Sequence, residues 1–287
     1  MRRDINKMAQ SNKPALNKNL DAIRKMIINH KRYDFAFAGL GMIVIASLTI
    51  TLLVLFLDLV IDGYPKFNLD FFSNFPSRRA ARAGILSAWI GSSLVLLVTF
   101  FVAVPLGIAS GIYLEEYAKK NWFSDLIEIN VSNLAGVPSI IYGLLALGLF
   151  VYSFGLGQSI LTAGLTLALL MLPIVIVSTR EAIRAIPVHI REAAYAVGAT
   201  KWQVCHNHVI QYSYGGILTG VIIGMARAIG ETAPVITIGA LTFIAFLPPS
   251  PIGLEPPFIN FDWLEAGFTV LPIQMFNWIS RPQHAFH

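Results

Sequence analysis

Arg227 and Glu231 stand four residues apart in an otherwise uncharged apolar stretch, so on a helix they share one face. A charge in the middle of a membrane span costs about 2.5–3.5 kcal/mol on the insertion scale, and two of them demand a reason. A closed Arg–Glu bridge would neutralise itself and lock its helix to a neighbour. An open one would present a guanidinium whose forked donors suit an oxyanion. The closed pair has no net charge and cannot by itself select an anion. Cys205, His206 and His208 make a second group. A structural zinc site needs four ligands, commonly at paired spacing, and Cys205 is the sole cysteine, so neither a metal site nor a disulfide is expected. Glu192 with His206 and His208 is the remaining enzyme-like set. Chemistry needs several polar groups converging at one depth, and these lie on a loop without a further cluster. No G-x-x-x-x-G-K-[ST] loop is present to hold a nucleotide.

The elements that must position these residues are membrane spans. Apolar residues make up 55% of the 287 and charged ones 13%, against about 25% charged in soluble domains. The fold class expected is all-α: a polytopic transmembrane helix bundle. The net charge of +5 gathers at segment ends rather than in an aromatic-lined groove, which argues against a nucleic-acid partner. Residues 1–34 read as a polar, basic tail, poorly ordered over the first 20, with 21–33 as a surface helix against lipid headgroups. Phe35 to Leu57 carries no charge over 23 residues, about 34 Å of helix against a hydrocarbon core of about 30 Å. The first span is taken as about 35–61, an uncleaved anchor.

Further spans are expected at about 83–114, 131–153, 159–179 and 212–246, within a transmembrane domain of 35–246. Phe71, Phe72 and Phe75 precede the second, as an interfacial aromatic belt or a packed lid. Pro105 and Gly107 are expected to kink that span, and Glu115-Glu116 at its end reads as a solvated helix end, with a functional role as the alternative. Phe154 to Gln158 is the one good break between the third and fourth spans, and Pro138 disturbs the third. Gly216, Gly220, Gly224 and Ala228 recur every four residues in the fifth, a stripe that allows close helix approach. The charges of Arg227 and Glu231 are expected beside that stripe, facing into the bundle. Residues 247–287 read as a proline-rich extracytoplasmic loop and a C-terminal segment too short to span. With the N-terminus inside, fifteen basic residues lie on the cytoplasmic side and five outside, and this asymmetry sets the orientation.

Between the fourth and fifth spans, 181–211 forms a polar island. Pro187 suits a helix start, Ile190, Ala194 and Val197 fall on one face, Gly198 suits a left-handed C-terminus and Thr200 can cap a second helix. An Ala-rich helix with one exposed glutamate is a knob for a partner's groove, or an ordinary interfacial loop.

Glu192-Ala193-Ala194 followed by Gly198 resembles the "EAA" loop of ABC-importer permeases. Where that pattern closes with Leu-Pro, this chain has Ile210-Gln211. ARAIGETAP (Ala226 to Pro234), PLGIASGIYLEEYA (Pro105 to Ala118), GVPSIIYGLLALGLFV (Gly136 to Val151), FTVLPIQMFNWISRPQ (Phe268 to Gln283) and LDFFSNFPSRR (Leu69 to Arg79) are together similar to PstA-type permease subunits of bacterial phosphate ABC transporters. The resemblance implies a transport subunit, not an enzyme, in the bacterial inner membrane. It implies a homologous second permease, two copies of a cytoplasmic ATPase and an extracytoplasmic phosphate-binding protein, with lipid and inorganic phosphate as the small partners. Sulfate or molybdate is the nearest alternative cargo. The loop residues Glu192, Ala193, Ala194 and Gly198 would couple to the ATPase, and Arg227 and Glu231 would lie on the translocation pathway. Family members continue into a sixth span; five are counted here, so the C-terminal segment is expected to lack one.

Overall fold

The computed structural model describes residues 13–119, 121–252 and 258–282. The expectations for the first twelve residues of the tail, for Lys120, for 253–257 of the proline-rich stretch and for the last five residues lie outside these. The chain divides into two units, Met1–Asn68 and Leu69–His287.

The first unit is one helix, α1 (Lys13–Gly63), closed by a 3-10 turn at Tyr64–Lys66. Its 51 residues extend about 77 Å, more than a bilayer core requires. The expected surface helix at 21–33 and the first span are therefore continuous, because no proline or glycine falls from Asp21 to Ala38.

The second unit is built on three long helices: α3 (Leu86–Ile112), α6 (Ile160–Arg184) and α9 (Ile210–Gly230). Gly107 lies against Val175 and Gly111 against Thr179, while Gly164 meets Val98, so α3 and α6 run in the same direction. The expected stripe on α9 is the contact with α6: Gly216 meets Ala182, Gly220 meets Ser178 and Gly224 meets Met171, with the two helices antiparallel. Missing side chains let the backbones approach, and dispersion accumulates along the seam. Thr99 on α3 adds a hydrogen bond across, Oγ1 to the Gly164 carbonyl at 3.2 Å.

α2 (Leu69–Ser73) precedes α3, and Trp89 Nε1 donates to the Phe72 carbonyl at 3.0 Å. The Phe71 ring lies 6.0 Å from Trp278, so Phe71 is packed rather than free in an interfacial belt. The third span is broken. α4 (Trp122–Leu134) and α5 (Ser139–Ala146, continued by a π-helical turn to Ser153) meet at 105°. Pro138 cannot continue the helix, and the freed Leu134 carbonyl accepts the Val137 N–H and the Tyr142 hydroxyl instead. The break at 154–158 holds, with Gly155 and Gly157 at φ of 67° and 66°, a region glycine enters without strain.

The fifth span differs from the expected 212–246. Its helix starts earlier, at α8 (Lys201–Val204), passes a π-helical turn at Cys205–Val209 and ends at Gly230. Glu231 is extended, and Pro234 opens the short α10 (Ala233–Thr237). Gly143 of α5 packs on α10, against Pro234 and Thr237. The C-terminal segment also folds inward. Leu271 N–H donates to Ser92 Oγ at 2.8 Å, and Phe268, Ile273 and Gln274 at the start of α11 (Leu271–Ile279) are buried beside the beginnings of α3 and α6. Among the described residues four helices are long and apolar enough to cross a membrane, or five with the bent α4–α5 pair as one.

Gly143→Val should cost about 1–3 kcal/mol by overpacking, read as a lower unfolding midpoint in detergent. Gly148→Ala is the control, because nothing stands within 4 Å of the added carbon.

Candidate functional site

The polar island folds as α7 (Val188–Ala196), a turn and α8. Pro187 is the residue that caps α7, and Gly198 closes it at φ 83°, its N–H on the Tyr195 carbonyl at 2.9 Å. Thr200 and Gln203 form a reciprocal capping box at the start of α8. Removing that cap in Thr200→Ala should cost about 1 kcal/mol, seen as faster amide exchange at Lys201 to Val204. Ala194 is buried with Ile183, Ile186, Val204 and Val209, and Ile190 packs alongside. Val197, expected on the same face, is 86% exposed because the helix has already ended. The outward side of α7 and α8 carries Glu192, Ala193, Val188, Tyr195 and Trp202, all exposed.

Arg191 points inward. Its Nη2 donates to the Ile183 carbonyl (2.9 Å) and to Glu116 Oε1 (3.0 Å), and Nη1 to the Ile186 carbonyl (3.1 Å). A guanidinium thus closes the end of α6 against its carbonyls and exposed dipole. Glu115 and Glu116 are therefore not a solvated helix end. Both lie on the π-helical turn that finishes α3, Tyr113–Tyr117. Glu115 meets Arg180 at 3.4 Å and Arg184 at 3.0 Å, while Glu128 of α4 meets Arg180 at 2.6 Å and Arg184 at 3.1 Å. These pairs hold the end of α3, the middle of α4 and the end of α6 together on the side of the bundle that carries the loop. Sequence reasoning missed them. The signal was present: two arginines one helical turn apart, opposite two carboxylate-bearing segments.

Cys205 is buried, His206 stacks on Trp202 at 5.6 Å, and Lys201 Nζ sits 4.9 Å over the Tyr117 ring. Among the described residues no three His, Cys, Asp or Glu side chains converge as metal ligands.

Arg227 and Glu231 lie toward the opposite end. Arg227 Nε donates to Glu231 Oε1 at 3.2 Å, so the pair is closed. It sits at the C-terminus of α9, not in the middle of a span, because Gly230 ends the helix there. Only Arg227 departs from the expected inward orientation: its side chain is 43% exposed, against 17% for Glu231. Glu231 borders a narrow cavity lined by Ser92, Leu96, Leu167, Val235 and Val270. Ala228, between them, faces the core. The arrangement offers a guanidinium on an exposed helix flank, tethered to a carboxylate set further in.

This bundle of apolar spans, with a polar loop pinned across one end and a single tethered ion pair toward the other, is the architecture of a membrane permease. Residues 103–271 match the family described as binding-protein-dependent transport system inner membrane component. The chain is 30% identical to the probable ABC transporter permease protein YqgI of Bacillus subtilis over 250 residues, 87% of this chain and 81% of that protein. It is 36% identical over 202 residues to the phosphate transport system permease protein PstA of Mycobacterium leprae, covering 70% of this chain and 62% of that protein. With the PstA of Haemophilus influenzae the identity is 32% over 216 residues, 74% of each. The chain belongs to this family of ABC-importer inner-membrane permeases, and its relatives include those of the PstA type. It is a transport subunit of an inner membrane, not an enzyme, and works with other subunits.

Proposed function

We propose that this chain forms half of the translocation pathway of an ATP-driven phosphate importer. A homologous second permease would supply the other half, two copies of a cytoplasmic ATPase the energy, and an extracytoplasmic binding protein the phosphate. The observation that carries the reading is α7. Its inner side is fixed by Ala194 and Arg191, while Glu192 and Ala193 are presented outward between exposed Val188 and Tyr195. A short rigid helix so mounted can receive a push from a partner and pass it on. The excess of basic residues on the loop side supports a cytoplasmic N-terminus and loop. Arg227 and Glu231 are the pathway's gate, closed at rest and parted during transport, so selectivity rests mainly with the binding protein.

The test is labelled-phosphate uptake in phosphate-starved cells deleted for their own permease and supplied with this chain and its partner subunits. Uptake competed by unlabelled phosphate, and not by sulfate or molybdate, is expected. Uptake competed by sulfate or molybdate instead would assign the chain to another oxyanion.

A further inference from the structure

A displacement of α7 has two ways into the membrane. One is the chain itself, which joins α7 to α6 on one side and to α8 and α9 on the other. The other runs through side chains. We propose that the ion pairs Arg191–Glu116 and Arg180/Arg184–Glu115/Glu128 carry the loop's motion to α3 and to the α4 arm, which makes Glu115, Glu128, Arg180 and Arg184 positioning residues of transport. This rests on α7 being the ATPase-coupling helix.

The geometry supplies each link. α7 cannot leave the end of α6 without breaking Arg191's bonds to two carbonyls and to Glu116. Glu116 shares a helical turn with Glu115, so α7 and the end of α3 move together. Glu115 and Glu128, from different helices, are each bridged by both Arg180 and Arg184, which lie one turn apart on α6. Such a cross-braced set resists shear in a way that one bridge on flexible side chains does not. Arg180 is 6% exposed at its side chain and Glu115 19%, and removing one partner of a buried set leaves an uncompensated charge.

α4 depends on this set. None of its residues is buried. It faces α3 and α6 across an open groove lined by Tyr113, Leu114, Ile127, Val131 and Ile176. Glu128 is thus its firm tie to the bundle. Beyond the 105° bend, α5 packs through Gly143 onto Pro234 and Thr237. Pro234 lies three residues after Glu231 and Thr237 six. The side-chain route therefore ends next in the chain to the Arg227–Glu231 pair, at the other end of this helix bundle from the loop. Contiguous packed elements of this kind can transmit coupling, provided that breaking one link changes the response at the far site.

The experiment uses the complete importer with its partner subunits, reconstituted in lipid vesicles. Glu128→Lys, Arg184→Glu and the double exchange, which restores opposite charges between positions 128 and 184 while leaving like charges at 128/180 and 115/184, are compared with the unsubstituted chain. Glu128→Gln serves where Glu128→Lys does not assemble. Phosphate imported per ATP hydrolysed should fall about tenfold in the single variants and return to within about threefold in the double exchange. Spin labels at Val188→Cys on α7 and Phe123→Cys on α4 give a readout independent of cargo. Their separation should stay constant on binding a non-hydrolysable ATP analogue in the unsubstituted importer, and change in Glu128→Lys. A constant separation and an unchanged ratio in Glu128→Lys would overturn the side-chain route. Failure of the unsubstituted importer to move phosphate would overturn the phosphate reading alone, since the label distances still decide the route.

Discussion

Glu192→Arg should abolish phosphate uptake, with a loss of about 100-fold or more, while the chain still inserts and pairs with its second permease. Glu192 is exposed on α7 and makes no hydrogen bond or ion pair within the described residues. Exchanging it therefore leaves the fold within about 0.5 kcal/mol of its starting stability, as surface substitutions away from special features do. The neighbouring side chains decide the outcome instead. Ala194 keeps the helix seated and Arg191 keeps it aimed, so the new guanidinium occupies the outward position that the carboxylate held. A partner surface shaped for a carboxylate then meets a like charge, which costs several kcal/mol. At about 1.4 kcal/mol per decade, such a cost reaches a hundredfold or more. Uptake and co-purification of the ATPase should fall together. Full uptake by Glu192→Arg would remove α7 from the coupling role. Full ATPase recovery without uptake would move Glu192's role from docking to transmission.

What was legible in the sequence was local. Gly198, the Thr200 cap and the burial of Ala194 follow from spacing over a few residues, and the small-residue stripe names its own seam. What was not legible was pairing at long range. Arg191 lies 75 residues from Glu116, and Arg184 lies 69 from Glu115 and 56 from Glu128. Nothing in a hydropathy pattern joins those positions. A run of apolar residues also does not reveal its backbone. Residues after Gly230 are apolar enough to extend a span, yet Glu231 leaves the helix and Pro234 restarts it. Phe268 to Ile279 carries no charge but is too short to span, yet Phe268, Ile273 and Gln274 are buried beside the starts of α3 and α6. Proline and glycine marked both places, although their partners determine which of several breaks forms.

Arg227→Gln should reduce uptake about 100-fold with assembly intact. The amide can still reach Glu231, so the end of α9 keeps a tether across the 3.2 Å now held by the guanidinium. Only the positive charge is lost. Glu231, at 17% exposure beside Leu96 and Leu167, is then a lone carboxylate in a poorly hydrated setting, and it opposes any anion that approaches. Repulsion between like charges about 6 Å apart is about 3 kcal/mol at an effective dielectric of 20, which corresponds to about 100-fold. The double variant Arg227→Gln with Glu231→Gln separates two roles for the pair. As a structural lock, it is neutral in both the native and the doubly substituted form, and uptake should return. As a gate, it must offer a guanidinium to the anion once the bridge parts, and the double variant should remain inactive. We expect inactivity, because Arg227 is the more exposed partner and Glu231 the one set inward. That placement leaves the cation free to turn outward to an anion while the carboxylate stays behind, an arrangement a lock does not need. Full uptake in Arg227→Gln would overturn the gate, and recovery in the double variant would reduce the pair to a fastening between α9 and the segment that follows it.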